Sequence, residues 1–252
     1  VEQLGQYTRA EQFNLIFTNN LTSVIQRVSF PMLSKIQNEP IRITHLFRKI
    51  IIYSTLITSA LVGSLAATAK PLISVLIGEK WLESVIYLQI MCCYAILYPL
   101  QNLNLNMLNI ASRSDLVLTL EIVKKFLFIP VLLIGFFYDI KAMLWTAVAY
   151  YYIEYLINTC YNERYFNYGI IKQLKDLSPI FLITIFVSLC MWSITLLNFS
   201  DIITLIIQIV VGPLLYFLMY ELSRITEYME LKEITLKQIS HLAQYSFKRS
   251  NN

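Results

Sequence analysis

Long runs without charge alternate with short clusters of Lys, Arg, Asp and Glu along this chain, and the runs have the length that crosses a bilayer. A membrane helix needs about 20 apolar residues. On that measure the pattern predicts seven spans, at about 10–30, 50–69, within 84–112, and at 116–138, 142–161, 177–197 and 202–220, joined by short loops. Pro31 is expected to stop the first, and Lys70-Pro71 the second, because proline removes a backbone donor and clashes with the preceding turn. After residue 220 the apolar positions change to helical spacing among charges (Leu222, Ile225, Met229, Leu231, Ile234, Leu236, Ile239), which predicts an amphipathic helix on the membrane surface. The fold class is therefore all-α, a polytopic bundle with a C-terminal amphipathic helix.

Composition agrees, with 57% hydrophobic residues, 14% charged and mean hydropathy +0.58 over 252 residues. A soluble domain carries far more charge. Loop charge then orients the spans: alternate segments hold thirteen Lys and Arg on one side and four (Arg9, Lys70, Lys80, Lys141) on the other. Cytoplasmic loops retain the excess, so the C-terminus is predicted to be cytoplasmic. The chain opens VEQLGQYTRAEQF, with no initiator Met and no signal peptide, and a further N-terminal portion is expected.

Hydrolytic and nucleotide-driven chemistry finds no support. Six glycines form no phosphate loop, and neither a GxSxG nor an HExxH arrangement occurs. Cys92, Cys93, Cys160 and Cys190 read as small apolar residues in spans, and His45 and His241 lie too far from the vicinal pair to complete a metal site. No metal, cofactor or nucleic acid is expected, and no enzymatic activity.

Polarity inside the spans carries the information. Glu11, Asn14, Thr18, Thr22 and Gln26 form a stripe down one face of the first span, with Arg27 beside its end. The stripe suits either interhelical hydrogen bonding or a water-filled cavity. In the third span Asn102, Asn106 and Asn109 share a face while Asn104 points elsewhere. The fourth places Lys124 and Lys125 near mid-membrane, where each costs roughly 2.5–3.5 kcal/mol unless paired or wet. Two arrangements are open: a Glu121–Lys125 pair with Lys124 reaching for the interface, or an unpaired charge facing a cavity. Glu11, Glu121 and Glu154 are the candidate proton carriers.

The segments "LGQYTRAEQF", "RVSFPMLSKIQNE", "LIGEKW" and "SRSDLVLTLEIVKK", in that order between residues 4 and 125, resemble the second half of the Wzx-type O-antigen and exopolysaccharide flippases. These in turn are similar to MATE exporters of the MOP superfamily, with two helical lobes and two added C-terminal helices. The resemblance implies a partial C-terminal lobe at 1–161, the two added helices at 162–220 and a cytoplasmic tail at 221–252. It also implies a multi-pass protein of the bacterial inner membrane that flips undecaprenyl-diphosphate-linked oligosaccharide by alternating access, together with an N-terminal lobe of the same protein. Arg27, Lys124 and Lys125 would meet the diphosphate. Asn14, Thr18, Thr22, Gln26, Asn102 and Asn106 would line the path. A membrane-embedded polymerase or glycosyltransferase, or another MATE-like exporter, is the alternative.

Overall fold

The computed structural model describes residues 2–233, 235 and 237. Among them run α1 (Glu2–Ser34), α2 (Pro40–Ile77), α3 (Ser84–Ala95), α4 (Tyr98–Ile110), α5 (Ser114–Phe137), α6 (Ile140–Phe166), α7 (Ile170–Ser193) and α8 (Asp201–Ser223). Helix resumes over 226–233. Counting α3 and α4 as one interrupted span, the order is the expected one. By length and composition alone, four segments among the described residues can cross a membrane: Pro40–Ile77, Ser84–Ile110, Ile170–Leu197 and Asp201–Ser223. The helices α1, α5 and α6 are 33, 24 and 27 residues long, sufficient in length for a crossing, and differ in being more polar, α1 through Asn, Gln and Thr, α6 through Tyr and Asn, and α5 through Glu121, Lys124 and Lys125.

The two proline stops are corrected. Pro31 lies inside α1, where the Lys35 N–H still donates to the Pro31 carbonyl at 3.2 Å, and Pro71 lies buried inside α2. Pro130, Pro179 and Pro213 are also internal. In a bundle, packing against neighbours holds a helix across the bond that proline removes. The expected continuous third span is interrupted instead at Ile96 and Leu97, where the Leu97 N–H closes a tight turn onto the Tyr94 carbonyl at 2.9 Å just before Pro99. Pro99 is well placed in the first turn of α4, where its missing donor has no partner to lose.

Termini are fixed by recognisable chemistry. Asp139 caps α6 by accepting from the Ala142 N–H at 2.7 Å, and Asn167 ends that helix in the left-handed conformation. The short turn into α7 is pinned by Glu163, which accepts from the Gly169 N–H at 2.6 Å and from Lys172 at 3.1 Å. These two bonds hold the Glu163 carboxyl below the usual carboxylate range.

The helix α2 is the hub, lying against α7, α8, α3 and α1, while α5 packs chiefly on α6 at the edge. One core joins Phe47, Ile51 and Leu56 of α2 to Leu100 and Leu103 of α4 and to Leu177, Ile180 and Val187 of α7. The other joins Val62, Leu65 and Ile73 to Ala10 and to Leu88 and Met91 of α3. On α8 the usual order is inverted: Thr204, Gln208, Gly212, Tyr216 and Tyr220 face inward at a spacing of four, while Ile206, Val210, Leu214 and Phe217 are exposed. That inversion suits lipid, where apolar surface costs nothing and hydrogen bonds belong between helices. Gln208 donates to the Met191 carbonyl at 2.7 Å and the Tyr220 hydroxyl to the Leu56 carbonyl at 3.2 Å. Beyond α8, Ile225, Tyr228 and Leu231 pack on the first core, and the expected tail positions Ile234, Leu236 and Ile239 lie outside the described residues.

Candidate functional site

The stripe on α1 turns into the bundle, against α3 and α4. Asn14 and Thr18 are buried, Thr22 and Gln26 half-buried, and Glu11 accepts from the Tyr7 hydroxyl at 3.2 Å. Among the described residues the Asn14 Oδ1 and Thr22 Oγ1 atoms are enclosed without a partner. Arg27 is exposed.

On α4 it is Asn104 that is fully enclosed. Its Oδ1 accepts from Gln173 Nε2 on α7 at 2.7 Å and from Asn162 Nδ2 on α6 at 2.6 Å, and Gln173 Oε1 accepts from the Tyr155 hydroxyl at 3.0 Å. This network locks α4, α6 and α7 together. Asn106 is half-buried, Asn109 exposed, and Asn102 faces a polar pocket, its Nδ2 donating to the Tyr98 carbonyl at 2.9 Å.

That pocket holds the first of the two lysines. Lys124 is buried, with its side chain 5% exposed, and its Nζ sits 2.5 Å from Glu121 Oε1 on the same helix and 3.1 Å from Glu154 Oε1 on α6. The expected Glu121–Lys125 pair is therefore corrected to Glu121–Lys124. Both i,i+3 and i,i+4 neighbours are within reach of Glu121, but only Lys124 lies on the face that α6 covers, where a second carboxylate offsets its desolvation. Lys125 points outward and is exposed. Among the described residues neither Lys125 nor Arg27 makes an ion pair with a side chain.

The cavity has a volume of about 200 Å³. Tyr98, Gln101, Asn102 and Leu105 of α4 form one wall, Glu121 and Lys124 of α5 a second, and Tyr151, Glu154 and Asn158 of α6 a third. Gln101 Nε2 donates to the Tyr151 carbonyl at 2.9 Å, and the hydroxyls of Tyr98 and Tyr151 meet at 3.2 Å. Among the described residues Asn158 Oδ1 is enclosed without a partner. The Tyr151, Glu154 and Asn158 spacing of three and four was readable as a stripe, yet the sequence reading singled out Glu154 alone. A larger apolar cavity of about 580 Å³ lies between α2, α3 and α7. Its Gln89, Thr184 and Tyr152 side chains donate to main-chain carbonyls. Among the described residues no three His, Cys, Asp or Glu side chains gather to hold a metal.

Residues 1–86 match the family described as "Polysaccharide biosynthesis protein". The chain is 28% identical over 131 residues to the lipopolysaccharide biosynthesis protein WzxC of Escherichia coli (strain K12), covering 52% of this chain and 27% of that protein. Over part of its length the chain is thus similar to Wzx-type polysaccharide biosynthesis proteins. An uncharacterized membrane protein in the cps region of Klebsiella pneumoniae is 34% identical over 115 residues, 45% of this chain and 24% of that one. The teichuronic acid biosynthesis protein TuaB of Bacillus subtilis (strain 168) is 30% identical over 115 residues, 46% and 24% of the two chains. The chain thus spans about a quarter of the length of the curated relatives it matches. No solved structure matches it. The apolar helices make this a membrane protein, and the proteins it resembles are named for polysaccharide biosynthesis.

Proposed function

We propose that this chain is part of a transporter that flips an undecaprenyl-diphosphate-linked oligosaccharide across the bacterial inner membrane, working by alternating access with another lobe of the same protein. The observation that carries the reading is a cavity walled by polar and charged side chains inside a helical membrane bundle whose relatives serve polysaccharide biosynthesis. Ionisable groups at membrane depth are costly and mark substrate or ion pathways. In this reading the exposed Arg27 and Lys125 attract the diphosphate as point charges. Lys124, already held by two carboxylates, positions α5 against α6. The stripe of Asn14, Thr18, Thr22 and Gln26 hydrates the path beside α4, and Glu11, Glu121 and Glu154 are the carboxylates within spans available to carry a coupling proton. The C-terminus faces the cytoplasm.

The test uses the full-length protein in a bacterium deleted for its own flippase. Surface polysaccharide should return, and Arg27→Gln and Lys125→Gln variants should lose it at unchanged membrane abundance. Wild-type insertion without surface polysaccharide would refute transport, and full activity in both variants would refute their diphosphate role.

A further inference from the structure

Resting on the transport reading, we infer that the pocket between α4, α5 and α6 is a subsite for an uncharged sugar ring, and that it excludes the diphosphate. Its charge is the first reason. Lys124 contributes one positive charge to the lining and Glu121 with Glu154 two negative ones. An anionic group entering there would meet two carboxylates, with the one ammonium already engaged at 2.5 and 3.1 Å. A small metal cation is also disfavoured, because the Lys124 ammonium occupies the position between the carboxylates that such an ion would take.

The second reason is the unmet hydrogen-bonding capacity. Asn158 lines the pocket and is 1% exposed, and its enclosed Oδ1 has no partner among the described residues. A buried acceptor left bare costs about 1–3 kcal/mol, so the arrangement favours a ligand that supplies a donor. A hydroxyl group donates and accepts at once. It can donate to Asn158 Oδ1 and to carboxylate oxygens while accepting from the Lys124 ammonium, without changing the charge of the site. Several hydroxyls on one rigid ring match a wall that offers Asn102, Gln101 and Glu154 as well. The cavity of about 200 Å³ far exceeds the ~10–15 Å³ that one water needs. Two tyrosine rings, Tyr98 and Tyr151, with centroids 5.3 Å apart, close one side, giving the mixed apolar and polar lining of a small-molecule site.

Saturation-transfer NMR on the purified full-length protein in lipid nanodiscs tests this, with glucose, galactose, N-acetylglucosamine, glucuronate and inorganic diphosphate as probes. At least one neutral sugar should receive saturation, and Asn158→Leu should weaken its binding roughly tenfold, the effect of one buried hydrogen bond. Glucuronate should bind less well than glucose, and any diphosphate binding should be unaffected by Asn158→Leu. If Asn158→Leu fails to accumulate, Glu121→Gln, whose side chain is 43% exposed, decides in its place by the same loss. No transfer to any neutral sugar, unchanged sugar binding in the variant, or displacement of the sugar by diphosphate would overturn the assignment. The transport reading fails separately: saturation of a sugar by a protein that restores no surface polysaccharide would leave the subsite standing and remove flipping.

Discussion

Lys124 on α5 and Glu154 on α6 meet at 3.1 Å with side chains 5% and 13% exposed, forming the ionic tie between the edge helix and the body of the bundle. Removing one partner of a buried pair leaves the other charge stranded, at about 3–5 kcal/mol, whereas replacing both with apolar residues is often neutral. Lys124→Met should therefore lower the unfolding midpoint of the full-length protein in detergent, and Lys124→Met/Glu154→Met should recover most of the loss. Equal destabilisation by the single and double variants would show that the tie carries no coupling.

Gly63 marks where α2, α7 and α8 converge. A methyl added there would lie 2.7 Å from both Ser188 Oγ and Thr184 Cγ2, and closer still to the Tyr216 hydroxyl. Gly212 would meet only the flexible end of Met191. Overpacking a well-filled core costs roughly 1–3 kcal/mol, so Gly63→Ala should be destabilising by about that amount and Gly212→Ala by distinctly less, measured as detergent unfolding.

The segment after α8 is held to α2 by charge. Lys49 donates to Glu230 at 2.6 Å, the Tyr53 hydroxyl to the same oxygen at 2.9 Å, and Arg48 lies 3.6 Å from Glu227. The Lys49 bond, then the Tyr53 bond, hold the Glu230 carboxyl below its ordinary value. A lowered carboxylate pKa gives stabilisation that is complete above the unfolded value of about 4.3 and is lost as pH falls through the folded one. Hydrogen exchange over 226–233 should thus stay protected from neutral pH down to about pH 5 and rise only below about pH 4. Lys49→Met should move that rise to higher pH.

Residues 37 and 200 are separated by five crossings if α2, the α3–α4 pair, α5, α6 and α7 each span. Single cysteines at Gln37 and Ser200, in a variant lacking Cys92, Cys93, Cys160 and Cys190, should label from opposite sides, with Gln37 cytoplasmic by its excess of nearby Lys and Arg. Labelling from the same side would mean that one of these helices does not cross.

Four of the seven expected spans were legible as bulk hydropathy, which survives any detail of packing, and the described residues bear those four out as helices long and apolar enough to cross. Helix ends were not, since Pro31 and Pro71 act as stops only where no neighbour steadies the helix across them. The importance of Lys124 could be read from its cost at membrane depth, but its partner could not: choosing between Glu121–Lys124 and Glu121–Lys125 requires knowing which face α6 covers. For the same reason Gln173 and Asn162 escaped notice, and Asn104, set aside for pointing away from the other asparagines, is the centre of the most enclosed network. A polar residue in a span shows its role only once its helix neighbours are known.

Transport itself is the central claim. Full-length protein reconstituted into sealed vesicles that carry a lipid-linked, galactose-ended oligosaccharide on the inner leaflet, under an imposed pH gradient, should deliver the sugar to galactose oxidase added outside, and should do so faster than protein-free vesicles. Oxidation no faster than in protein-free vesicles, with the protein folded and inserted, would contradict the account.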